Sequence, residues 1–142
     1  MPTIPSSMKV RSAIHRLYYQ LTRGAIGAGS AGMPILLLTT TGRKTGKPRT
    51  TPLHYVTDGE NIVLAASNGG RPRHPLWWLN LETGPEAEVQ VRHQKRRVKA
   101  EKASGEERER LWRLLVTAYP YYEEFQKATT RKIPVVVLRP RE

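Results

Sequence analysis

A chain of 142 residues, 38% of them apolar and with a mean hydropathy of −0.55, holds one sizeable core and not two. Its net charge of +12 and pI near 10.5 call for an anionic partner: nucleic acid, a membrane surface or an acidic small molecule. Absence of cysteine excludes disulfides, zinc thiolates and thiol catalysis; no apolar run reaches the roughly 18 residues of a membrane span and no signal-peptide layout opens the chain, so a cytoplasmic protein is expected.

Residues 1–7, with two prolines and two serines, read as a loose tail. Over residues 8–23 the apolar side chains Val10, Ile14, Leu17, Tyr18 and Leu21 recur at helical spacing, with Lys9, Arg11, Arg16 and Arg23 off that face. Such a basic amphipathic helix either packs on its own domain or lies peripherally on the anionic inner face of the cell membrane. Residues 24–32 are glycine- and alanine-rich, a linker without the lysine of a phosphate-binding P-loop. The expected organisation is therefore tail, helix and linker over 1–32, and a single domain over 33–142.

From residue 34 the pattern becomes strand-like. Ile35–Thr41 is an apolar run passing into threonines, consistent with a strand buried on both faces. It leads into a glycine-punctuated turn in which Arg43, Lys44, Lys47 and Arg49 place four cations in seven residues with no acid among them. Glycines there permit positive φ and close backbone approach, so N–H groups and cations together suit a phosphate or carboxylate. Residues 51–57 and 61–67 form the next two strands around Asp58-Gly59-Glu60, a hairpin signal. The second ends in Ala66-Ser67-Asn68-Gly69-Gly70, small residues that leave room for a flat ligand against the backbone. Residues 75–81 read as a short helix with proline in its first turn, ended by Gly84-Pro85. Alternation then predicts a strand over 87–91 and another continuing through Val98 and Ala100, with a bend near 93–96 and a strongly basic polar face from Arg92 to Lys102. Ser104-Gly105-Glu106-Glu107 spells a capping box for a helix with Leu111, Leu114 and Leu115 in its stripe, kinked at Tyr119-Pro120-Tyr121-Tyr122. A last buried strand covers 133–138. Six strands with few helical crossovers predict a mainly β, α+β fold, a closed or nearly closed antiparallel barrel with peripheral helices.

Ser67 is not in a GxSxG elbow. The histidines His15, His54, His74 and His93 are too scattered for metal-ligand spacing, so no metal site is expected. Single-stranded nucleic acid fits the charge, but the basic strand face has no interleaved aromatics. A planar anionic cofactor accounts for more of the chain at once: phosphate at the Arg43/Lys44 turn, a ring edge at Ala66-Ser67-Asn68, a wall from Trp77, Trp78 and Asn80, and tyrosines from the last helix.

The set Thr40-Thr41-Gly42-Arg43-Lys44-Thr45-Gly46, Pro52-Leu53, residues 65–70, Pro75-Leu76-Trp77-Trp78-Leu79-Asn80-Leu81, Tyr119-Pro120-Tyr121-Tyr122 and Ile133-Pro134-Val135-Val136-Val137 resembles the deazaflavin-dependent nitroreductase and quinone reductase family of actinobacteria. The resemblance runs from about residue 34 to 139. It implies a flavin-reductase-like split β-barrel binding reduced 8-hydroxy-5-deazaflavin (coenzyme F420), and an oxidoreductase that passes hydride to a menaquinone-like quinone or a nitroaromatic acceptor. By the same resemblance Arg43, Lys44 and Thr45 hold the coenzyme phosphate, and Thr51, Pro52, Leu53 and His54 line its passage. Ala66, Ser67 and Asn68 meet the ring, Trp77, Trp78 and Asn80 adjoin it, and Tyr119 and Tyr122 face the substrate. Tyr122 is the expected proton donor, with Tyr119 and Ser67 as the other catalytic residues. The chain departs from the family pattern at Asn68, where lysine is frequent, at Trp78 and at Phe125, each in place of tyrosine. The last removes a substrate-side hydroxyl on which nitroimidazole reduction depends. Read without the resemblance, flavin mononucleotide offers the same phosphate and tricyclic ring and remains the alternative cofactor; a basic nucleic-acid- or lipid-binding protein is the non-catalytic alternative.

Overall fold

A computed structural model describes residues 34–141; the helix and linker expected over 8–32 lie outside them. In chain order the elements are β1 (Ile35–Thr41), β2 (Pro48–His54), β3 (Val56–Asp58), β4 (Asn61–Ala65), α1 (Leu76–Thr83), β5 (Glu86–Val91), β6 (Gln94–Lys102), α2 (Gly105–Ala118), α3 (Tyr121–Lys127) and β7 (Val135–Pro140), with a short 3-10 turn at Asn68–Gly70. The strands make one antiparallel sheet in the order β2-β1-β5-β6-β7-β4-β3.

Connectivity dictates that this sheet curls. Its two edge strands are β2 and β3, and Tyr55 alone separates them in the chain. His54 and Val56 therefore lie within roughly 7 Å of each other, the reach of two residues. A seven-stranded sheet can meet that condition only by bending round on itself. Its inner face carries Leu36, Leu38, Ile62, Leu64, Val89, Val98, Val136 and Leu138, packed on Trp77, Trp78 and Leu81 of α1. Its outer face is covered over β4 and β7, where Val63, Ala65, Val135 and Val137 pack on Leu111 and Leu115 of α2 and Tyr122 of α3.

The stretch expected as one strand over 51–57 is two, and seven strands replace six. Strand β2 begins earlier, at Pro48, and accepts Pro48 and Pro52 because it is an edge strand, pairing with β1 alone. It breaks at Tyr55, whose ring is buried in the inner core where the chain passes from one sheet edge to the other. The expected bend at 93–96 is a tight turn at Arg92-His93, with Arg92 in the left-handed region at φ +56°. Ser104 does cap α2, but its side chain makes no capping hydrogen bond; Gly105, at φ +59°, turns the chain immediately after it. Glu106 and Glu107 stay in the first turn, where the helix dipole favours them. Pro120 separates two helices rather than kinking one, since a proline ring cannot continue the ladder of α2. The last strand runs Val135–Pro140, with Ile133 buried ahead of it.

Candidate coenzyme site

The turn between β1 and β2 is fixed before any ligand arrives. The Gly42 N–H donates to Lys47 O at 2.8 Å and the Gly46 N–H to Gly42 O at 2.8 Å. A Cβ on Gly42 would lie 2.8 Å from Thr45 Oγ1, and Gly46 has φ +72°, so both glycines are required by the turn itself. Asn80, buried in α1, then pins the turn to the helix: its Nδ2 donates to Thr40 Oγ1 at 3.1 Å, and its Oδ1 accepts the Arg43 N–H at 3.0 Å. Around the turn lies a cavity of about 450 Å³ lined by Gly42, Arg43, Lys44, Thr45, Arg49, Thr50, Thr51, Leu76, Trp77 and Asn80. Among the described residues, the side chains of Arg43, Lys44, Lys47 and Arg49 have neither an ion-pair nor a hydrogen-bond partner, while Arg110, Arg139 and Arg141 pair with Asp58, Glu101 and Glu86. A rigid backbone presenting unpaired cations fits a phosphate.

At the end of β4 the chain makes a second concave feature. Ser67 is in the right-handed helical region (φ −80°, ψ −31°) and Asn68 in the left-handed one (φ 49°). Successive N–H groups of such a pair converge into an anion- or carbonyl-binding nest. Ala66 is fully buried and Ser67 nearly so. The Asn68 amide is directed back at its own loop, Nδ2 donating to Arg73 O at 3.0 Å. Gly70, at φ +81°, lies so close to α3 that a Cβ there would be 2.9 Å from Phe125 O.

A third group is aromatic. The His54 ring stacks on Tyr119 at 4.9 Å, Tyr119 meets Tyr121 edge-on at 5.0 Å and Tyr122 at 5.4 Å, and Tyr122 contacts Phe125 and Trp112. Burial, with the neighbouring Tyr119, pushes the Tyr122 phenol up to about 12. It therefore holds its proton at any working pH and acts as a hydrogen-bond donor, not a base. Burial also raises Tyr119 and lowers His54, whose buried Nδ1 has no partner among the described residues.

Of the residues expected at the site, the structure brings Arg43, Lys44, Thr45, Thr51, Trp77 and Asn80 to one cavity. Asn80 lines that cavity with its amide already engaged by the turn, so it is the turn's anchor rather than a free wall. Trp78 belongs to the inner core and Leu53 packs against it. Because strand residues alternate, Pro52 and His54 face outward, away from Thr51 and Leu53. Tyr119 and Tyr122 lie over the outer sheet face with His54, and neither they nor Ala66, Ser67 and Asn68 line the turn cavity. Sequence reasoning counted Arg49 among the cations of the turn but left Thr50 and Leu76 off the site. Leu76 lines the cavity as well, a large apolar side chain 69% exposed among the described residues. It also missed Arg131, whose side-chain contacts lie more than 55 residues away in the chain.

A model of the F420H(2)-dependent quinone reductase family matches residues 9–140. The chain belongs to that family. A Mycobacterium tuberculosis F420H(2)-dependent quinone reductase is 40% identical over 132 residues, covering 90% of this chain and 89% of its own. The solved structure of an F420-H2 dependent reductase superposes with a TM-score of 0.69 at 43% identity, covering 75% of this chain and 94% of that one. A solved domain-swapped dimer matches at 36% identity and a TM-score of 0.70 over 91% of this chain and 98% of its own. The family identifies the protein as an oxidoreductase of quinone-reductase type and coenzyme F420, rather than flavin mononucleotide, as its cofactor. Among the described residues no helix is long and apolar enough to cross a membrane, and no acid–histidine cluster could hold a metal.

Proposed function

We propose that the curled sheet is a split β-barrel in which this chain passes a hydride from the reduced deazaflavin to a quinone. The observation that carries the reading is the turn pinned by Asn80, which presents unpaired Arg43 and Lys44 over the Trp77-walled cavity in a chain of this family. When bound, the coenzyme supplies the hydride; every other contribution comes from the protein. Arg43, Lys44 and the Thr45 hydroxyl hold the phosphate, and Thr51 with the rest of β2 through His54 guides the coenzyme from the turn toward the aromatic end. The Ser67-Asn68 nest takes a ring oxygen, with Ala66 offering the flat approach. Trp77 backs the ring side, with Trp78 in the core behind it. Reduction of a quinone to a quinol needs a proton beside the hydride, and the Tyr122 phenol, with Tyr119 next to it, donates toward the developing quinol oxygen. Phe125 has no hydroxyl to add, so quinones rather than nitroimidazoles are the acceptors.

Fluorescence titration with the deazaflavin, with flavin mononucleotide alongside, tests the coenzyme assignment, and anaerobic oxidation of the reduced coenzyme by a quinone tests the reaction. Saturable deazaflavin binding with turnover is expected; preference for flavin mononucleotide would overturn the assignment. Peripheral membrane contact through residues 8–23 belongs to the same proposal. It predicts co-sedimentation of the full chain, but not of a truncation starting at residue 33, with anionic vesicles.

A further inference from the structure

Arg131 makes more hydrogen bonds to remote parts of the chain than any other described side chain. Its Nη2 donates to Ser67 O at 2.7 Å, its Nη1 to Ala66 O at 3.2 Å and its Nε to Arg71 O at 3.0 Å. A further contact, at 3.0 Å, joins Nη1 to His74 Nδ1. A guanidinium has no acceptor, so His74 Nδ1 must present its lone pair, which places the imidazole proton on Nε2. One planar fork thus ties together both sides of the loop that leaves β4, from Ala66 to His74. Between those tied ends lie the nest at Ser67-Asn68 and the left-handed residues Asn68, Gly69 and Gly70. Within the loop the Gly70 N–H donates to Ser67 O at 2.9 Å and the Arg71 N–H to Asn68 O at 3.2 Å, closing the 3-10 turn; Arg131 ties that turn to the rest of the domain, and the Asn68 contact to Arg73 O closes its far side.

We propose that Arg131 is the positioning residue of the coenzyme ring site, acting through the Ala66 and Ser67 carbonyls, and that neutral His74 completes the clamp so that acid opens it. The assignment rests on the deazaflavin reading above. Protonated His74 could only donate at Nδ1, and would set a cation against the guanidinium at 3.0 Å. Burial first, then the Arg131 charge and Lys102 of β6, lower the His74 pKa, while Glu82 of α1 opposes them. The imidazole is therefore neutral near pH 7, and the clamp is complete there and fails on the acid side. Replacing Arg131 by lysine keeps a charge but cannot bond three carbonyls and a ring nitrogen in one plane.

The test uses the full chain in two states. In the coenzyme-free protein, NMR follows the His74 ring and the Ser67–Gly70 amides through the histidine range. In wild type those amides shift with the His74 titration; in Arg131→Gln the His74 midpoint rises and the amides no longer follow it. In the coenzyme titration, Arg131→Lys and Arg131→Gln bind the deazaflavin about 10- to 100-fold more weakly, the loss expected for charge-assisted hydrogen bonds. His74→Asn retains an acceptor, and its affinity no longer falls on the acid side. Amides indifferent to His74, or full coenzyme affinity in a stably folded Arg131→Gln, would overturn the clamp. Wild type that shows the NMR coupling but binds no deazaflavin overturns the proposed function and leaves the clamp standing as a loop device.

Discussion

The two ends of β2 have opposite chemistries. At its start, half-buried Thr50 and Thr51 join Arg43, Lys44 and Arg49 around an open cavity, the three cations exposed and without partners for their charges among the described residues. At its other end His54 disappears into stacked rings, with Tyr119, Tyr121, Tyr122, Phe125 and Trp112. Seven strand residues span about 20 Å between their ends. A ligand laid along this strand would be charged at one end and flat and apolar at the other. The charged end is built mainly by local sequence, since one turn forms it and a single remote asparagine anchors it. The aromatic end is built by tertiary packing, because its rings come from β2, α2 and α3.

That contrast predicts different penalties at each end. The largest belongs to Tyr122→Ala at the aromatic end. It empties a buried ring site in the outer core and should destabilise the fold by about 3–5 kcal/mol in chemical denaturation. Tyr122→Phe keeps the ring and should leave stability nearly unchanged while lowering turnover about tenfold or more, the contribution of a positioned acid. Unchanged turnover in Tyr122→Phe would remove Tyr122 as the donor.

At the cationic end the order inverts, with function lost and fold kept. Arg43→Ala combined with Lys44→Ala should weaken deazaflavin binding about 100-fold, from two charge-assisted contacts, and flatten its salt dependence. Thermal stability should hold, since neither side chain has a partner to lose among the described residues. Equal coenzyme affinity in the double variant would place the phosphate elsewhere.

Asn80 sharpens the comparison because it belongs to both categories. Removing its amide in Asn80→Ala strands the buried Thr40 hydroxyl and frees the Arg43 N–H. The expected cost is about 1–3 kcal/mol of stability, together with weaker coenzyme binding. A loss of stability with unchanged coenzyme affinity would show that the turn keeps its shape without the anchor.

The difference in construction also decides what was legible in the sequence. The basic turn, its glycines and the small residues at 66–70 were readable because each is a local requirement of backbone geometry. The strands that enclose the inner core were legible from the apolar runs of β1 and β4 and from alternation in β5 and β6. Asn80 was assigned to a ring wall because its type and place in the chain fit the family, while its hydrogen bonds, 37 and 40 residues away, leave no trace in the sequence. Arg131 was invisible for the same reason, one more cation in a chain of net charge +12. Trp77 and Trp78 are adjacent, and only packing separates one at the cavity from one in the core. The break at Tyr55 was hidden because either half of 51–57 alternates well enough to be a strand. It is the meeting of two sheet edges, and not local propensity, that bends the chain there.

The smallest expected effect lies where the aromatic end contains its one titratable nitrogen base. Burial lowers the His54 pKa below its ordinary 6.5, and among the described residues its Nδ1 has no partner that a proton would serve. Unfolded chains bind that proton more readily than the folded one. Stability should therefore be complete above about 6.5 and erode as pH falls through the window between that value and the lower folded one. His54→Phe keeps a ring against Tyr119 and removes the proton, so its thermal midpoint should decline less steeply on the acid side than that of wild type. Part of the slope should persist in the variant, because burial lowers His74 as well; His54→Phe with His74→Asn should flatten most of the remainder. An unaltered acid-side slope in His54→Phe would mean that the stack opens to water as readily as the turn does, and the two ends of β2 would then differ in composition but not in burial.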